Sequence, residues 1–272
     1  MNKKFLELAK KSKVIVIKVG SNILVNEKHV LRRKWLNSLI EDVKELQKRG
    51  SKIIIVSSGA IALGRNILSK KKLTNLHEKQ AAASIGQIQL SQQWQKAFAK
   101  LNIQSSQILI TAEDLNERRK YLNIRNTIYS LMDLNVVPII NENDTTSTEE
   151  IRFGDNDKLS AMIANALSAE LLILLSDVNG LYTANPKKSL QAKLITSVEE
   201  VDQQIEKYID KDLSEFGSGG MLAKINAAKL CIQSGSTMII SNGLVNNPLS
   251  KIDPQSSTCL LYTSPSPRDR IA

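Results

Sequence analysis

Six short apolar runs, at residues 14–19, 53–56, 107–110, 136–140, 171–175 and 238–240, punctuate the chain, and longer stretches of helical character separate them. Runs without polar alternation mark strands buried on both faces, and strands that alternate with helices mark a parallel sheet covered by helices. The pattern therefore predicts an α/β fold with a largely parallel central sheet. Helices are expected at 33–49, 60–68, 78–101, 118–134, 158–167 and 222–234, the last with Met221, Ile225, Ala228 and Cys231 near one face. Residues 145–154 are polar apart from Ile151 and Phe153 and suit an excursion over a site, while 182–193, with Asn185-Pro186, reads as a loop. A length of 272 residues accommodates one domain or two close lobes.

Composition removes several classes of function. The net charge of +10 invites a nucleic-acid partner, yet residues 1–13 alone carry five Lys against one Glu, so part of the excess is terminal. The Lys70-Lys71-Lys72 cluster has no interleaved aromatic side chains on which bases could stack. A solvated basic surface is the expectation, with no nucleic-acid partner. His29, His77, Cys231 and Cys259 supply neither a disulfide framework nor a zinc site. The basic N-terminus lacks an apolar signal core, and no run approaches the ~18 apolar residues of a membrane span. The expected setting is cytoplasmic, without a membrane partner.

The chemistry gathers where strands end. In open α/β sheets, ligands bind outside the carboxyl ends of the strands. The first run delivers Lys18 and then Gly20, Ser21 and Asn22; such a lysine either snorkels to the surface or brings an ammonium to a site. The second ends in Ser57-Ser58-Gly59-Ala60 at a helix start, an ordinary cap or an anion site. The fourth ends in Asn141-Glu142-Asn143-Asp144, with Gly154-Asp155-Asn156-Asp157-Lys158 ten residues later. The fifth ends in Ser176-Asp177. Finally, Gly217-Ser218-Gly219-Gly220 precedes a helix carrying Lys224 and reads as a flexible turn or a phosphate cradle. It lacks the spacing of the commoner phosphate-binding and dinucleotide-binding loops. Two lysines, glycine-rich helix starts and Asp/Asn side chains make a set suited to phosphoryl transfer, which depends on positioning and charge neutralisation more than on covalent chemistry. A carboxylate acceptor, with a reference pKa of about 4.3 for Glu, needs no general base.

Taken together, the motifs IKVGSN (17–22), SSGAIALG (57–64), IGQ (85–87), YLNIRNT (121–127), NEND (141–144), GDND (154–157), SDVNGLYTANP (176–186) and GSGGM (217–221) resemble those of the amino-acid kinase family. NEND followed by GDND and GLYTANP resembles the branch whose acceptor is the side-chain carboxylate of L-glutamate. The resemblance implies a three-layer α/β/α sandwich over 1–252, with an N-terminal glutamate-binding lobe and a C-terminal ATP-binding lobe. It implies transfer from ATP, with Mg²⁺, and assigns no residue directly to the metal. Lys18 and Lys224 would stabilise the transferring phosphoryl and Asp157 would orient both. Ser58, Asp144 and Asn156 would hold glutamate, with Asp144 on its ammonium and Asn141 nearby. Lys18, Ser176, Asp177, Ser218, Gly219, Gly220, Met221, Leu222, Ala223 and Lys224 would hold ATP. Homo-oligomers and feedback inhibition by proline are further implications.

Three positions depart from the family pattern. Ser176 stands where Thr is common and keeps the hydroxyl; Ala223 stands where Thr is expected and loses one nucleotide hydrogen bond. Residues 253–272 form an atypical tail, of which 259–269 resemble a translated sequencing adapter. On that reading the natural closing strand of the sheet would be missing; the expected organisation carries no additional C-terminal domain. The rival readings are a sister kinase acting on aspartate, N-acetylglutamate or a nucleoside monophosphate, and a binding protein of the same fold without catalysis.

Overall fold

Side-chain parity along β1 (Val14–Val19) divides the interior in two. Ile15, Ile17 and Val19 enter the core of one face, whereas Val16 joins the core of the other. Successive side chains of a strand point to opposite faces, so a run that is apolar at each position has to be covered twice. A computed structural model, describing residues 1–69, 72–147, 155–184, 189–198, 220–253 and 259–261, shows that double covering.

The remaining strands are β2 (Lys52–Ser57), β3 (Ser105–Ile110), β4 (Val137–Glu142), β5 (Leu171–Ser176), β6 (Leu181–Tyr182), β7 (Leu194–Ile195), β8 (Ser197–Val198), β9 (Thr237–Asn242) and β10 (Cys259–Leu261). Among the described residues, six strands run parallel in the order β3-β4-β2-β1-β5-β9, and β10 and β8 extend the sheet beyond β9. The chain adds strands on one side of β1 as far as β4, then crosses to add β5 and β9 on the other. Such a reversal opens a crevice at the carboxyl ends of the strands.

Among the described residues the helices are α1 (Lys3–Lys11), α2 (Ser21–Leu24), α3 (Arg33–Lys48), α4 (Ala60–Ile67), α5 (Leu76–Ala99), α6 (Ala112–Asn116), α7 (Arg118–Asp133), α8 (Asp155–Ala166) and α9 (Gly220–Ser234). Phe5 of α1, Trp35 and Leu39 of α3, Leu63 of α4, and Trp94 and Phe98 of α5 fill the core on the Ile15 side. Met132 of α7, Leu159 and Ile163 of α8, and Ile225 and Cys231 of α9 fill the other. The result is the α/β/α sandwich.

Four departures from the sequence reading have physical causes. The basic N-terminus is a helix, capped by Asn2 and anchored by the buried Phe5 and Ala9 while its lysines stay in water. α8 begins at Asp155 rather than 158, because acidic and amide side chains are favourable in a first turn. Tyr182 and Leu194 belong to a small antiparallel pair, β6 with β7, and Thr183 N–H donates to the Lys193 carbonyl at 3.0 Å. Finally, Cys259–Leu261 pairs antiparallel with β9, so the sheet does carry a strand where the tail reading left none. Ladder bonds come from the backbone, and an open edge accepts any extended segment of suitable length. Residues 148–154 of the expected excursion lie outside the described residues, and Thr145–Ser147 make a turn whose amides at 146 and 147 donate to the Asn143 carbonyl.

Candidate active site

Lys18 has the parity of Val16 and therefore faces the layer containing α8. The first turn of α8 places Asp157 beneath it, and α9 brings Lys224 from the other side. Lys18 Nζ lies 2.5 Å from Asp157 Oδ1, and Lys224 Nζ lies 3.1 Å from Asp157 Oδ2. Asp157 is fully buried and Lys18 is 8% exposed. Burial pushes the Asp157 carboxyl up, but the Lys18 and Lys224 ammoniums more than offset it and hold the group below the ordinary carboxylate range. Two ammoniums thus meet on one buried carboxylate. Ammoniums held in place and sheltered from water favour the charge that develops during phosphoryl transfer.

A second cluster stands on the β2 and β4 side of β1. Ser58 follows β2, tied by its N–H to the Val19 carbonyl at 3.0 Å. The next residue, Gly59, has φ of 116°, a left-handed conformation that a side chain would strain, and it turns the chain into α4. Asn156 Nδ2 lies 2.6 Å from Ser58 Oγ, 3.0 Å from Asn141 Oδ1 and 3.3 Å from the Ser57 carbonyl. Asn141 Nδ2 in turn donates to Gln87 Oε1 at 2.8 Å. Asn156 Oδ1 is buried and has no hydrogen-bond partner among the described residues, so it is an acceptor held ready. Asp144 sits half-buried in the turn beyond β4.

A third group lies at the ends of β5 and β9. Ser176 is buried, its hydroxyl stands 3.4 Å from Asp177 Oδ1, and its carbonyl accepts from Gly243 N–H at 2.7 Å. Asp177 is exposed. Asn242 Nδ2 donates to Asn179 Oδ1 at 3.0 Å, fastening the loop after β5 to the end of β9. Gly243 is a packing requirement there, since a Cβ would come within 2.9 Å of Leu175 Cβ. Its carbonyl accepts from Trp35 Nε1 at 2.6 Å. Gly220 opens α9, and Met221, Leu222, Ala223 and Lys224 are half-buried in its first turns; Ser218 and Gly219 lie outside the described residues.

The expected residues thus fall into a lysine–carboxylate–lysine centre, an amide and hydroxyl cluster containing Ser58, Asn141 and Asn156, and a loop cluster around Ser176. Sequence reasoning missed the roles of Gln87 and Trp94, which bond Asn141 and Ser57 from α5. A glutamine or tryptophan inside a long helix gives no local signal of its partner. Among the described residues, no group of three His, Cys, Asp or Glu side chains is placed to hold a metal ion, and both Asp157 oxygens face lysines.

A parallel sheet with its polar centre at this reversal of strand order is the layout of an open α/β fold that binds its ligand at the carboxyl ends of the strands. The chain belongs to the amino acid kinase family, whose pattern matches residues 13–242. Among its relatives are the glutamate 5-kinase of Pelagibacter ubique (strain HTCC1062), 52% identical over 244 residues, and that of Brucella abortus (strain S19), 49% identical over 240 residues. Those matches cover 89% and 88% of this chain but 66% and 64% of the relatives, so it spans less than two-thirds of their length. The fold is also that of UMP kinase from Ureaplasma parvum, with a TM-score of 0.64 at 16% identity, covering 92% of this chain and 99% of that one. Carbamate kinase from Giardia lamblia superposes with a TM-score of 0.62 at 16% identity, covering 94% and 100%. No helix among the described residues is long and apolar enough to cross a membrane.

Proposed function

We propose that this chain catalyses the glutamate 5-kinase reaction, transferring the γ-phosphoryl group of ATP to the side-chain carboxylate of L-glutamate. The product, L-glutamyl 5-phosphate, opens proline synthesis. The observation that carries the reading is the pinning of Lys18 and Lys224 by one buried Asp157, beside the Ser58–Asn156–Asn141 cluster. The identity to glutamate 5-kinases supports glutamate as the acceptor.

A glutamate carboxylate oxygen attacks the γ-phosphorus, the bond to the β,γ-bridging oxygen breaks, and ADP leaves. No proton need be removed, because the acceptor is ionised at neutral pH. The obstacle is the approach of one anion to another, and the lysine ammoniums lower it by meeting charge on the equatorial and leaving oxygens. Asp157 holds both ammoniums at fixed positions, so little reorganisation accompanies the transfer. Ser58 and Asn156 orient the acceptor, with Asp144 suited to its ammonium. Ser176, Asp177 and residues 218–224 receive the nucleotide. Mg²⁺ would enter with the nucleotide and neutralise phosphate charge, with no residue of this chain assigned to hold it. Homo-oligomerisation, inhibition by proline and a cytoplasmic setting belong to the same proposal.

The test is to incubate the purified chain with ATP, Mg²⁺, L-glutamate and hydroxylamine, which converts an acyl phosphate to a stable hydroxamate. Glutamate-dependent hydroxamate, lost in Lys224→Ala, is the expected result. A folded chain that binds ATP and yields product from another acceptor in preference to glutamate overturns the assignment.

A further inference from the structure

Gln80, Gln87 and Trp94 of α5 are spaced seven residues apart and therefore line one stripe of the helix. Gln80 Nε2 donates to the Ser147 carbonyl at 3.2 Å, Gln87 Oε1 accepts from Asn141 Nδ2 at 2.8 Å, and Trp94 Nε1 donates to Ser57 Oγ at 3.0 Å. The stripe thus touches the exits of both β2 and β4. Gln87 is the member that bonds a side chain of the cluster around Ser58.

A side-chain amide donates at one end and accepts at the other, so a chain of amides has a direction. Gln87 presents Oε1 to Asn141 Nδ2. Asn141 then offers Oδ1 to Asn156 Nδ2, and the Asn156 Oδ1 acceptor is left over, buried and unpartnered. The far end is set as well. Gln87 Nε2 lies 3.3 Å from Ser91 Oγ, whose own proton goes to the Gln87 carbonyl at 2.8 Å or to Gln107 Oε1. The serine oxygen is therefore the acceptor for Gln87, which keeps Oε1 turned toward Asn141.

We propose that Gln87 is a positioning residue for the acceptor substrate. By fixing the polarity of Asn141 and Asn156, it presents Asn156 Oδ1 to an N–H donor of the bound amino acid. The inference rests on the reading of this chain as a glutamate 5-kinase. Reversing the polarity at Gln87 turns an acceptor away from the substrate and leaves nucleotide binding alone, because Gln87 bonds the β4 side of the site and not the β5 side.

The experiment compares the parent chain with Gln87→Glu, which keeps the acceptor, and Gln87→Lys, which offers only donors. Gln87→Ala at this half-buried helix position serves as a control for folding, alanine being the best helix former. The KM for glutamate is expected to rise roughly tenfold in the Lys variant and less in the Ala variant, the scale of one lost hydrogen bond. The Glu variant stays near the parent, and the KM for ATP and the melting temperature hold steady throughout. A Lys variant equal to the parent, a Glu variant as impaired as the Lys variant, or a parallel rise in both KM values overturns the role of Gln87. A parent chain that forms no glutamyl hydroxamate overturns the functional reading first, and this inference with it.

Discussion

Gly86 of α5 lies so close to Ala60 of α4 that a Cβ built on the glycine would fall 1.9 Å from the Ala60 carbonyl oxygen. The contact is reciprocal, since a Cβ on Gly64 would fall 1.7 Å from the Ala82 carbonyl oxygen. Two helix backbones touch here with nothing between them. Ala60 opens α4 immediately after Ser58 and Gly59, so this crossing sets the distance between α5 and the exit of β2.

Gly86→Ala puts a methyl against backbone that has no rotamer to retreat into. Overpacking of that kind costs about 3 kcal/mol. Urea titration should show a lowered midpoint, and the folded fraction should show a raised KM for glutamate because Gln87 moves with its neighbour. A parent-like midpoint would mean that the helices separate without cost.

Asp157→Asn removes the charge that holds the two ammoniums. A fall in kcat on the order of 10²–10³, the scale for losing a preorganised electrostatic contact, is expected in the hydroxamate assay. The variant also changes the acid limb of stability. Burial raises the Asp157 carboxyl and the lysines lower it further than burial lifts it, so its folded value lies below its ordinary 3.8. A depressed carboxylate stabilises the fold above its unfolded pKa, and that contribution is lost as pH falls through the folded value. The parent should therefore exceed the Asn variant in urea stability above pH 3.8, and the gap should close in stronger acid. A gap independent of pH would show that the ionised pair contributes nothing.

Ala223 sits half-buried in the first turn of α9, one residue before Lys224. Ala223→Thr adds a hydroxyl in the helix start that the proposal assigns to the nucleotide. One added hydrogen bond is worth roughly 1 kcal/mol, so the KM for ATP should fall about fivefold with kcat little changed. An unchanged KM would show that the hydroxyl finds no acceptor.

Burial pushes the Cys231 thiol up to about 12. The thiolate is the reactive form, so a thiol reagent at pH 8 should leave this residue untouched in the native fold and modify it on unfolding. The measurement belongs in a Cys259→Ser background, where any label reports on Cys231. Prompt labelling without denaturant would place the α9 core in exchange with solvent.

The parallel sheet was legible because its strands are apolar at each position, and Lys18 was legible because a lysine at the end of such a run has few places to go. Helix positions followed from spacing, although α8 starts three residues early because Asp155, Asn156 and Asp157 read as turn formers and serve as a first turn. The joining of Lys18 to Asp157 was expected from a family likeness, since residues far apart in the chain carry no mark of contact. Gln87 stood within the IGQ motif, but its bond to Asn141 lay beyond sequence reasoning for the same reason. Asp42 is another instance: it looks like a solvated helix carboxylate, yet it is buried and accepts from Leu249 N–H at 2.9 Å, Ser250 N–H at 3.1 Å and the Ser250 hydroxyl. Its partners lie more than two hundred residues away, and only the folded chain brings them together.

The place of β1 between β2 and β5 has a consequence for how such a chain can change. Loops leaving β2 and β4 gather on one flank of this strand and loops leaving β5 and β9 on the other, with Lys18, Asp157 and Lys224 on the seam. The two flanks are separately editable. On the proposed assignment, rewriting one pair of loops would alter which molecule receives the phosphoryl group, rewriting the other pair would alter which molecule donates it, and neither revision would have to disturb Lys18, Asp157 and Lys224.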